Sequence, residues 1–408
     1  MANSANDFLN SLDGLFKQVY ADDIKNLVPD NYKLIKMIDF LPKDKTSGNL
    51  YHQPVIVAKE HGLTFAGSTD DAFALNAPVA GQLKDAQIQG NALVLRSVLG
   101  YNAASRSAGA GPKAFKDATK YLVKNMLESV TGAIEVELLY GQMGLAIVSS
   151  VASNVITLTT ASFASGIWSG AENMPLEIRD TAGTTLRGYA NVSSVDLDAR
   201  TVTVDAAPSG TTGTDVLWRK GAYGNEFAGL HKIMTNTGTL FNISASTYAL
   251  WKGSEYAAGS ADLSFAKIER AIAKAVAKGL NSDCSVLMNP KTWANVMVDQ
   301  AALRKFDQSY SSSSMENGSK ELKFHGQNGL IEIIPSIFCK EGFAYVFSKE
   351  DLVRVGSSDV TFERPGMEGK FFRDLEQAAG YEMRCYTDQA LLCVAPGRTV
   401  VITGIVNS

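Results

Sequence analysis

The sequence lacks the features of a membrane, secreted or metal-binding protein. No apolar run approaches the ~18 residues that span a bilayer, and no secretory signal begins the chain. The four cysteines lack CxxC spacing, which favours buried thiols over a disulfide framework or a zinc site. They are Cys284, Cys339, Cys385 and Cys393. These absences predict a cytosol-like compartment, no membrane contact and no metal.

The chain also has no excess of positive charge. Its 408 residues include 38 Lys and Arg against 42 Asp and Glu, a formal net charge of -4. Because non-specific affinity for nucleic acid comes mainly from clustered Lys and Arg, this balance opposes a large phosphate-binding surface. With 45% hydrophobic and 20% charged residues, the composition is that of a globular protein of two or three domains.

Common catalytic and nucleotide-binding motifs are absent as well. GxxxxGKS/T, GxSxG and HExxH do not occur, and the four histidines are far apart in sequence. Residues 109–114 imitate a GxGxxA dinucleotide fingerprint, but no strand leads directly into them. The turn at Asp196 resembles the start of a calcium loop, but Arg200 occupies its fifth position, so a hairpin turn is favoured. No cofactor is predicted, and an unrelated enzyme is the least favoured interpretation.

The longest predicted element is a helix over Gly111 to Gln142. Pro112 suits a first helical residue. Apolar residues recur along one face, at Phe115, Leu122, Met126, Val130, Ile134 and Leu138. Another line of the helix carries charged residues, including Lys124, Glu128 and Glu135, and is expected to be solvated or to face another subunit. At ~1.5 Å per residue the helix would be a strut on the order of 45 Å long.

The N-terminal residues 1–50 are predicted to form an arm. A helical pattern that includes Phe8, Leu12 and Phe16 is followed by breakers and charges, so the segment cannot bury its apolar face locally. It therefore needs another surface. The sequence leaves two possibilities open, which are the arm's own domain and a neighbouring molecule.

The next residues, 51–100, are predicted to project as a ribbon. Strand-like runs at 53–58 and 88–98 flank a long stretch rich in Gly, Ala, Ser, Asp and Asn. Because an isolated two-stranded ribbon is marginally stable in water, it is expected to lie on another surface.

The rest of the chain is predicted to be β-rich and then mixed. Residues 145–220 alternate β-branched and polar residues between turns, which predicts a small all-β domain. Within residues 221–408, Asp262 is expected to cap a helix that Gly279 ends. Later strands are expected at 330–334, 343–348, 352–355, 360–362, 380–386 and 391–394. The fold class is therefore α+β.

Many short sequences along the chain resemble those of tailed-bacteriophage major capsid proteins. They include Glu60-His61-Gly62, the run Leu75 to Gly81, Arg96, Tyr101, Ala104-Ser105-Arg106 and Leu139-Tyr140-Gly141-Gln142. In the β segment, Ile167-Trp168-Ser169-Gly170 and Asp196 to Val204 resemble an insertion carried by one branch of these proteins. The matches occur in order over roughly residues 50 to 400.

The resemblance implies a Hong Kong 97-type fold. Its parts would be an N-terminal arm (1–50), an extended β-hairpin loop (51–100), a peripheral domain with a spine helix (101–144), an inserted all-β domain (145–220), a mainly axial domain (221–342) and return strands of the peripheral and axial domains (343–408).

The resemblance also implies a function. The chain would be a major capsid protein that assembles with itself, through pentamers and hexamers, into an icosahedral shell around double-stranded DNA. It would be built in the bacterial host cytoplasm and reside in the virion. Portal and scaffolding proteins are implied partners, and a cement protein is a further candidate. The alternative is an encapsulin-like shell that holds a protein cargo, and genomic context would separate the two.

Some relatives join subunits covalently through a lysine of the extended loop and an asparagine of a neighbour. Lys59 and Lys84 are the only lysines in this loop, and no asparagine occurs between Asn328 and Asn407, where the family pattern would place the acceptor. A non-covalent shell is therefore expected. Boiled, reduced particles should give a single electrophoretic band at 43.7 kDa, and a ladder of dimers to hexamers would contradict this expectation.

Overall fold

A computed structural model describes most of the chain. The described residues are 31–41, 50–69, 71–101, 112–298, 322–327, 329–363, 372–375 and 379–407. Phe8, Leu12 and Phe16 lie outside these ranges, so the prediction for them stays a prediction.

Helices and strands alternate along the described residues. The α-helices are α1 (Leu34–Met37), α2 (Pro112–Tyr140), α3 (Ser165–Trp168), α4 (Leu230–Met234), α5 (Phe265–Val276) and α6 (Pro290–Val298). The first strands are β1 (Tyr51–Ala58), β2 (Gln82–Ile88), β3 (Asn91–Gly100), β4 (Ala146–Ala152), β5 (Val155–Leu158), β6 (Pro175–Arg179), β7 (Leu186–Asp196), β8 (Thr201–Val204), β9 (Val216–Arg219) and β10 (Thr239–Leu240). They are followed by β11 (Ile243–Ser244), β12 (Ser254–Ala261), β13 (Cys284–Met288), β14 (Leu322–His325), β15 (Leu330–Pro335), β16 (Ala344–Phe347), β17 (Leu352–Thr361), β18 (Phe372–Asp374), β19 (Gly380–Cys393) and β20 (Val400–Ile405).

The predicted strut is present as α2, a helix of 29 residues. Its expected apolar face is buried from Leu122 to Leu138, and Lys124 pairs with Glu128 at 3.7 Å. The expectation for Glu135 is wrong, because this carboxylate is fully buried against α1. Sequence spacing placed Glu135 on the charged line of the helix, but the preceding segment of the chain covers that position.

A four-stranded antiparallel sheet packs against α2. Its central strand is β19, with β3 along one edge and both β17 and β18 along the other. The strand predicted at 88–98 is present as β3, but its predicted place in the ribbon is wrong, since β2 pairs with β1 while β3 pairs with β19. The change of sheet occurs at Gly90, where a Cβ atom would lie 2.3 Å from a carboxylate oxygen of Asp388.

β17 and β19 are longer than the sequence predicted. Each was expected as two short strands, at 352–355 with 360–362 and at 380–386 with 391–394. The polar residues that suggested a break in β17 instead lie at irregularities in its pairing with β19, between Val355 and Thr361. A strand can continue through such bulges because only the local register changes.

A second, six-stranded sheet has the order β12-β20-β16-β13-β15-β14, and α5 packs on its β12 and β20 edge. The prediction that Asp262 caps α5 is wrong. Ser264 is the N-cap and its Oγ accepts the N–H of Lys267, whereas Asp262 accepts a hydrogen bond from Asn295. Gly279 follows the helix with a φ of +99°, as expected for a stop signal.

The segment predicted to be all-β is a closed antiparallel barrel of order β4-β5-β8-β7-β6-β9. Its interior is filled by fully buried residues such as Ile156, Leu176 and Val202. The β7–β8 hairpin confirms the turn interpretation, because Asp196 Oδ1 accepts the N–H groups of Asp198 and Ala199 within the turn.

Candidate assembly surface

The ribbon is formed by β1 and β2, which pair from Tyr51 opposite Ile88 to Ala58 opposite Gln82. Its base is bound to the β10–β11 hairpin. Val55 and Ala86 belong to a small apolar cluster with Trp251, and the Gln87 N–H donates to the Phe241 carbonyl over 3.0 Å. The base of the ribbon is therefore fixed by contacts within its own chain.

The far end of the ribbon, residues 59–81, is called the tip here. Its two limbs are braced by Asn76, whose N–H donates to Thr64 Oγ1 and whose Nδ2 donates to the Leu63 carbonyl, both over 2.8 Å. At the start of the tip, the His61 N–H donates to the Val79 carbonyl. These bonds give the tip a defined shape, although its described residues form no strand.

The tip and ribbon expose an unusual number of large apolar side chains. These are Ile56, Leu63, Phe65, Phe73, Leu75, Val79 and Leu83. Phe65 is 88% exposed and Leu75 is 79% exposed. Because contiguous apolar surface on a soluble protein usually marks a contact site, the ribbon and its tip form the candidate assembly surface.

The two lysines of this surface occupy different environments. Lys59 is exposed just beyond β1, and Lys84 is exposed on β2 opposite Val55. The Lys84 Nζ lies 5.8 Å from the ring centre of Tyr248 in the same chain, a cation–π contact.

Residues 31–41 attach the start of the described chain to α2 and to the four-stranded sheet. The Glu135 carboxylate accepts the N–H groups of Lys33, Leu34 and Ile35, each over 2.9 Å. These are the otherwise unpaired donors at the start of α1. Burial raises the pKa of Glu135, and the three backbone hydrogen bonds oppose that rise. Arg354, also buried, donates from Nε to the Ile38 carbonyl over 2.9 Å.

Two carboxylates connect the end of α2 to residues 226–229, which follow the barrel in the chain and are called the crossover here. Glu137 accepts the N–H of Phe227 and Glu226 accepts the N–H of Gln142, both over 3.0 Å. Burial is the main cause that raises the pKa of Glu137 to about 8, and the neighbouring Glu226 carboxylate raises it further. Burial also raises the pKa of Glu226, while Arg219 acts in the opposite direction. The Glu137 carboxylate, where α2 contacts the crossover, therefore binds a proton more tightly than a carboxylate does in water.

This pKa shift gives the stability of the folded chain a pH dependence. The folded-state pKa of Glu137 lies above its pKa in the unfolded chain. Its stabilising contribution to the free energy of unfolding is therefore fully present below about pH 4.5 and is lost as the pH rises through about 8. Glu137→Gln keeps the acceptor for Phe227 but cannot ionise. We expect its Tm to exceed that of the wild type by at least about 2 °C at pH 8.5, the shift that roughly 1 kcal/mol produces in a mid-sized domain.

At pH 5 the advantage of Glu137→Gln should shrink, because the wild-type carboxyl is then largely protonated in the fold. Thermal melts of the monomeric chain at both pH values measure the difference. Glu172→Gln, at an exposed carboxylate, serves as the control and should give the same small change at both pH values. A Glu137→Gln advantage that is equal at pH 5 and pH 8.5 would contradict the assignment.

Other buried ionisable groups lie beside Tyr140, the last residue of α2. Lys340 donates from Nζ to the Gly144 carbonyl over 3.0 Å, and burial lowers its pKa to about 7. His231 Nδ1 lies 3.0 Å from the Tyr345 hydroxyl, and burial lowers the His231 pKa to about 3. Both side chains connect separate segments of the core. No pattern in the sequence predicted either contact. All four cysteines are buried and free, as the sequence predicted.

No group of three or more His, Cys, Asp or Glu side chains in the described ranges of the chain could hold a metal ion. Within the same ranges, no helix combines the length and apolar character needed to cross a membrane.

Solved capsid structures share this fold. The chain aligns with one from the cyanophage A-1(L) capsid asymmetric unit at 11% identity and a TM-score of 0.55, over 96% of this chain and 98% of that one. It aligns over the full length of both chains with capsid chains of the native GTA particle (11% identity, TM-score 0.52) and the empty GTA particle (10% identity, TM-score 0.51), both computed with C5 symmetry. No protein-family model and no curated protein matches the sequence.

At these identities the likeness concerns the fold. The chain has the α+β fold of phage capsid proteins, and the predicted resemblance to that class is confirmed at this level.

Proposed function

We propose that this chain is the major capsid protein of a tailed bacteriophage, and that it assembles with itself through pentamers and hexamers into an icosahedral shell around double-stranded DNA. The observation that carries the proposal is the apolar surface of the ribbon and tip. Full burial of one large apolar side chain contributes roughly 1.5–3 kcal/mol, so a neighbour that covers several of them gains a substantial contact energy.

The proposal places the tip on a different site of the next copy, so that the contact repeats from copy to copy. The base of the ribbon is bound to its own chain, while the tip presents Phe65 and Leu75 to the surroundings. A surface that differs from the site it contacts on the next copy generates rings when the rotation closes. Rings of five and six copies would then form the closed shell.

The remaining parts of the proposal follow from the same role. The chain acts as a structural protein of the virion, assembled in the bacterial cytoplasm, and has no catalytic function. Its net charge of -4 is compatible with enclosing DNA without a dedicated binding surface. Portal and scaffolding proteins are the expected partners, and a cement protein would be a further one.

Electron microscopy of the purified, overexpressed chain tests the proposal. We expect rings or closed shells, with or without a coexpressed scaffolding protein. A chain that stays monomeric under both conditions would contradict it. The contents of particles purified from the native host distinguish a phage capsid from an encapsulin-like compartment. Nuclease-protected DNA supports the phage capsid, and a packaged enzyme supports the compartment.

A further inference from the structure

A groove of about 740 Å³ lies beside β3 and is distinct from the ribbon tip. One wall is formed by α2, from Asn125 to Glu137, and another by residues that precede and follow the barrel strands β6 and β9. Its lining is largely apolar, and its charged members are Glu128, Glu137, Arg219, Lys220 and Glu226.

The groove exposes the edge of β3 rather than one of its faces. Residues 91–95 all line it, whereas a strand face would present only alternate residues. The opposite edge of β3 pairs with β19. Among the described residues, no backbone group pairs with the edge that faces the groove. Such an edge can accept an added strand through its backbone hydrogen bonds.

The described chain begins at this groove. Tyr32 lines it, donates from its hydroxyl to the Glu128 carbonyl over 3.0 Å and stacks on Phe338 at 5.5 Å. A Cβ atom at Gly132 would lie 3.3 Å from the Tyr32 ring, so the ring lies directly against α2. Glu135 and Arg354 fix the residues that follow. Tyr32 thus places the start of the described chain next to the groove.

We propose that the groove receives the N-terminal segment of the same chain, residues 22–30, which adds as an extended strand to the free edge of β3. Nine extended residues reach roughly 30 Å, and the five-residue edge is about 17 Å long, so the segment is long enough. The inference does not depend on shell formation.

The sequence of the segment fits this site. Ile24, Leu27 and Val28 match an apolar groove. Pro29 disfavours helix at the residue before it, which suits an extended conformation. The arm would then be held by its own subunit close to residue 30, whatever its first residues contact.

Cysteine pairing tests the proposal on the full chain. Val94→Cys, at a side chain that is 51% exposed, is combined in turn with a cysteine at each of positions 24 to 28. Because a disulfide requires Cα atoms within about 7 Å, at least one of the five pairs should oxidise within the chain. The matched control combines the same five positions with Leu250→Cys, at a side chain that is 51% exposed and does not line the groove.

Non-reducing electrophoresis of dilute subunits, with peptide mass mapping, gives the result. We expect at least about tenfold more intrachain disulfide with Val94→Cys than with Leu250→Cys. Equal yields would overturn the proposal. Interchain disulfides would also overturn it, because the groove would then receive a segment of a second copy. Shells that fail to form while the intrachain disulfide does form would contradict the proposed function alone.

A second measurement avoids introduced cysteines. Deletion of residues 1–30 keeps the segment that Glu135 and Arg354 hold, so the subunit should still fold. We expect the backbone amides of residues 91–95 that face the groove to exchange with solvent at least about tenfold faster in the deletion variant. Unchanged exchange at all of these amides would overturn the proposal.

Discussion

Replacing Phe65 and Leu75 together with Asp is expected to prevent shell assembly while leaving the subunit folded. Both side chains are mostly exposed in the isolated chain, so their loss removes little from the subunit core. In an assembly contact, the same change would remove two buried apolar groups and place two carboxylates in an apolar environment. The apolar loss alone is roughly 3–6 kcal/mol per contact, which raises the concentration needed for assembly by at least about 100-fold.

Light scattering and electron microscopy across a concentration series measure the assembly effect, and thermal melts of the subunit measure folding. The matched control is Ser68→Asp with Thr69→Asp, which adds the same charge to exposed positions of the tip and keeps its apolar side chains. This control should assemble at close to the wild-type concentration. Equal loss of assembly in both double variants would show that added charge, not lost apolar contact, is responsible.

Glu135→Ala is expected to destabilise the subunit by about 3 kcal/mol. The substitution leaves the N–H groups of Lys33, Leu34 and Ile35 without their acceptor in a buried site. Each lost hydrogen bond of this kind costs about 1 kcal/mol or more. The unfavourable burial of the carboxylate, which raises its pKa, is relieved at the same time and limits the loss. The Tm should fall by roughly 5–10 °C.

Glu135→Gln provides the conservative comparison, because its amide oxygen can still accept some of the three backbone hydrogen bonds. Its Tm should fall by less than half as much as that of the alanine variant. Hydrogen exchange gives a local check, since the amides of residues 33–35 should become the most strongly accelerated in Glu135→Ala. A Tm for Glu135→Ala within about 1 °C of the wild type would show that Glu135 does not hold this segment.

The close approach of α2 to the crossover explains why two glycines occupy this junction. The Gly229 N–H donates to the Gly141 carbonyl over 3.0 Å, and a Cβ atom at Gly141 would lie 2.2 Å from the Phe227 carbonyl oxygen. The resemblance included Gly141 as part of a matching run. The structure supplies the physical reason, which is that no larger residue fits where the two backbones cross.

Local periodicity was enough to predict several elements of this fold. The spacing of apolar residues from Leu122 to Leu138 determined that α2 is a helix with one buried face. Alternation between turns determined the β character of residues 145–220. Both patterns express constraints between residues a few positions apart, and such constraints are present in the sequence itself. The glycine, alanine and polar composition of the tip likewise predicted a projecting segment without regular structure.

Only the tertiary structure decided which strands pair and which charges are buried. Arg96 of β3 contacts Glu382 of β19 at 2.6 Å although they are 286 residues apart, and no local pattern distinguishes β19 from β1 as the partner of β3. Glu135 has the spacing of a solvated residue, and its burial depends on a segment about 100 residues earlier in the chain. Hydrogen-bond partners at such separations are set by how the elements pack in space, so the free edge of β3 and the groove beside it could be found only in the folded chain.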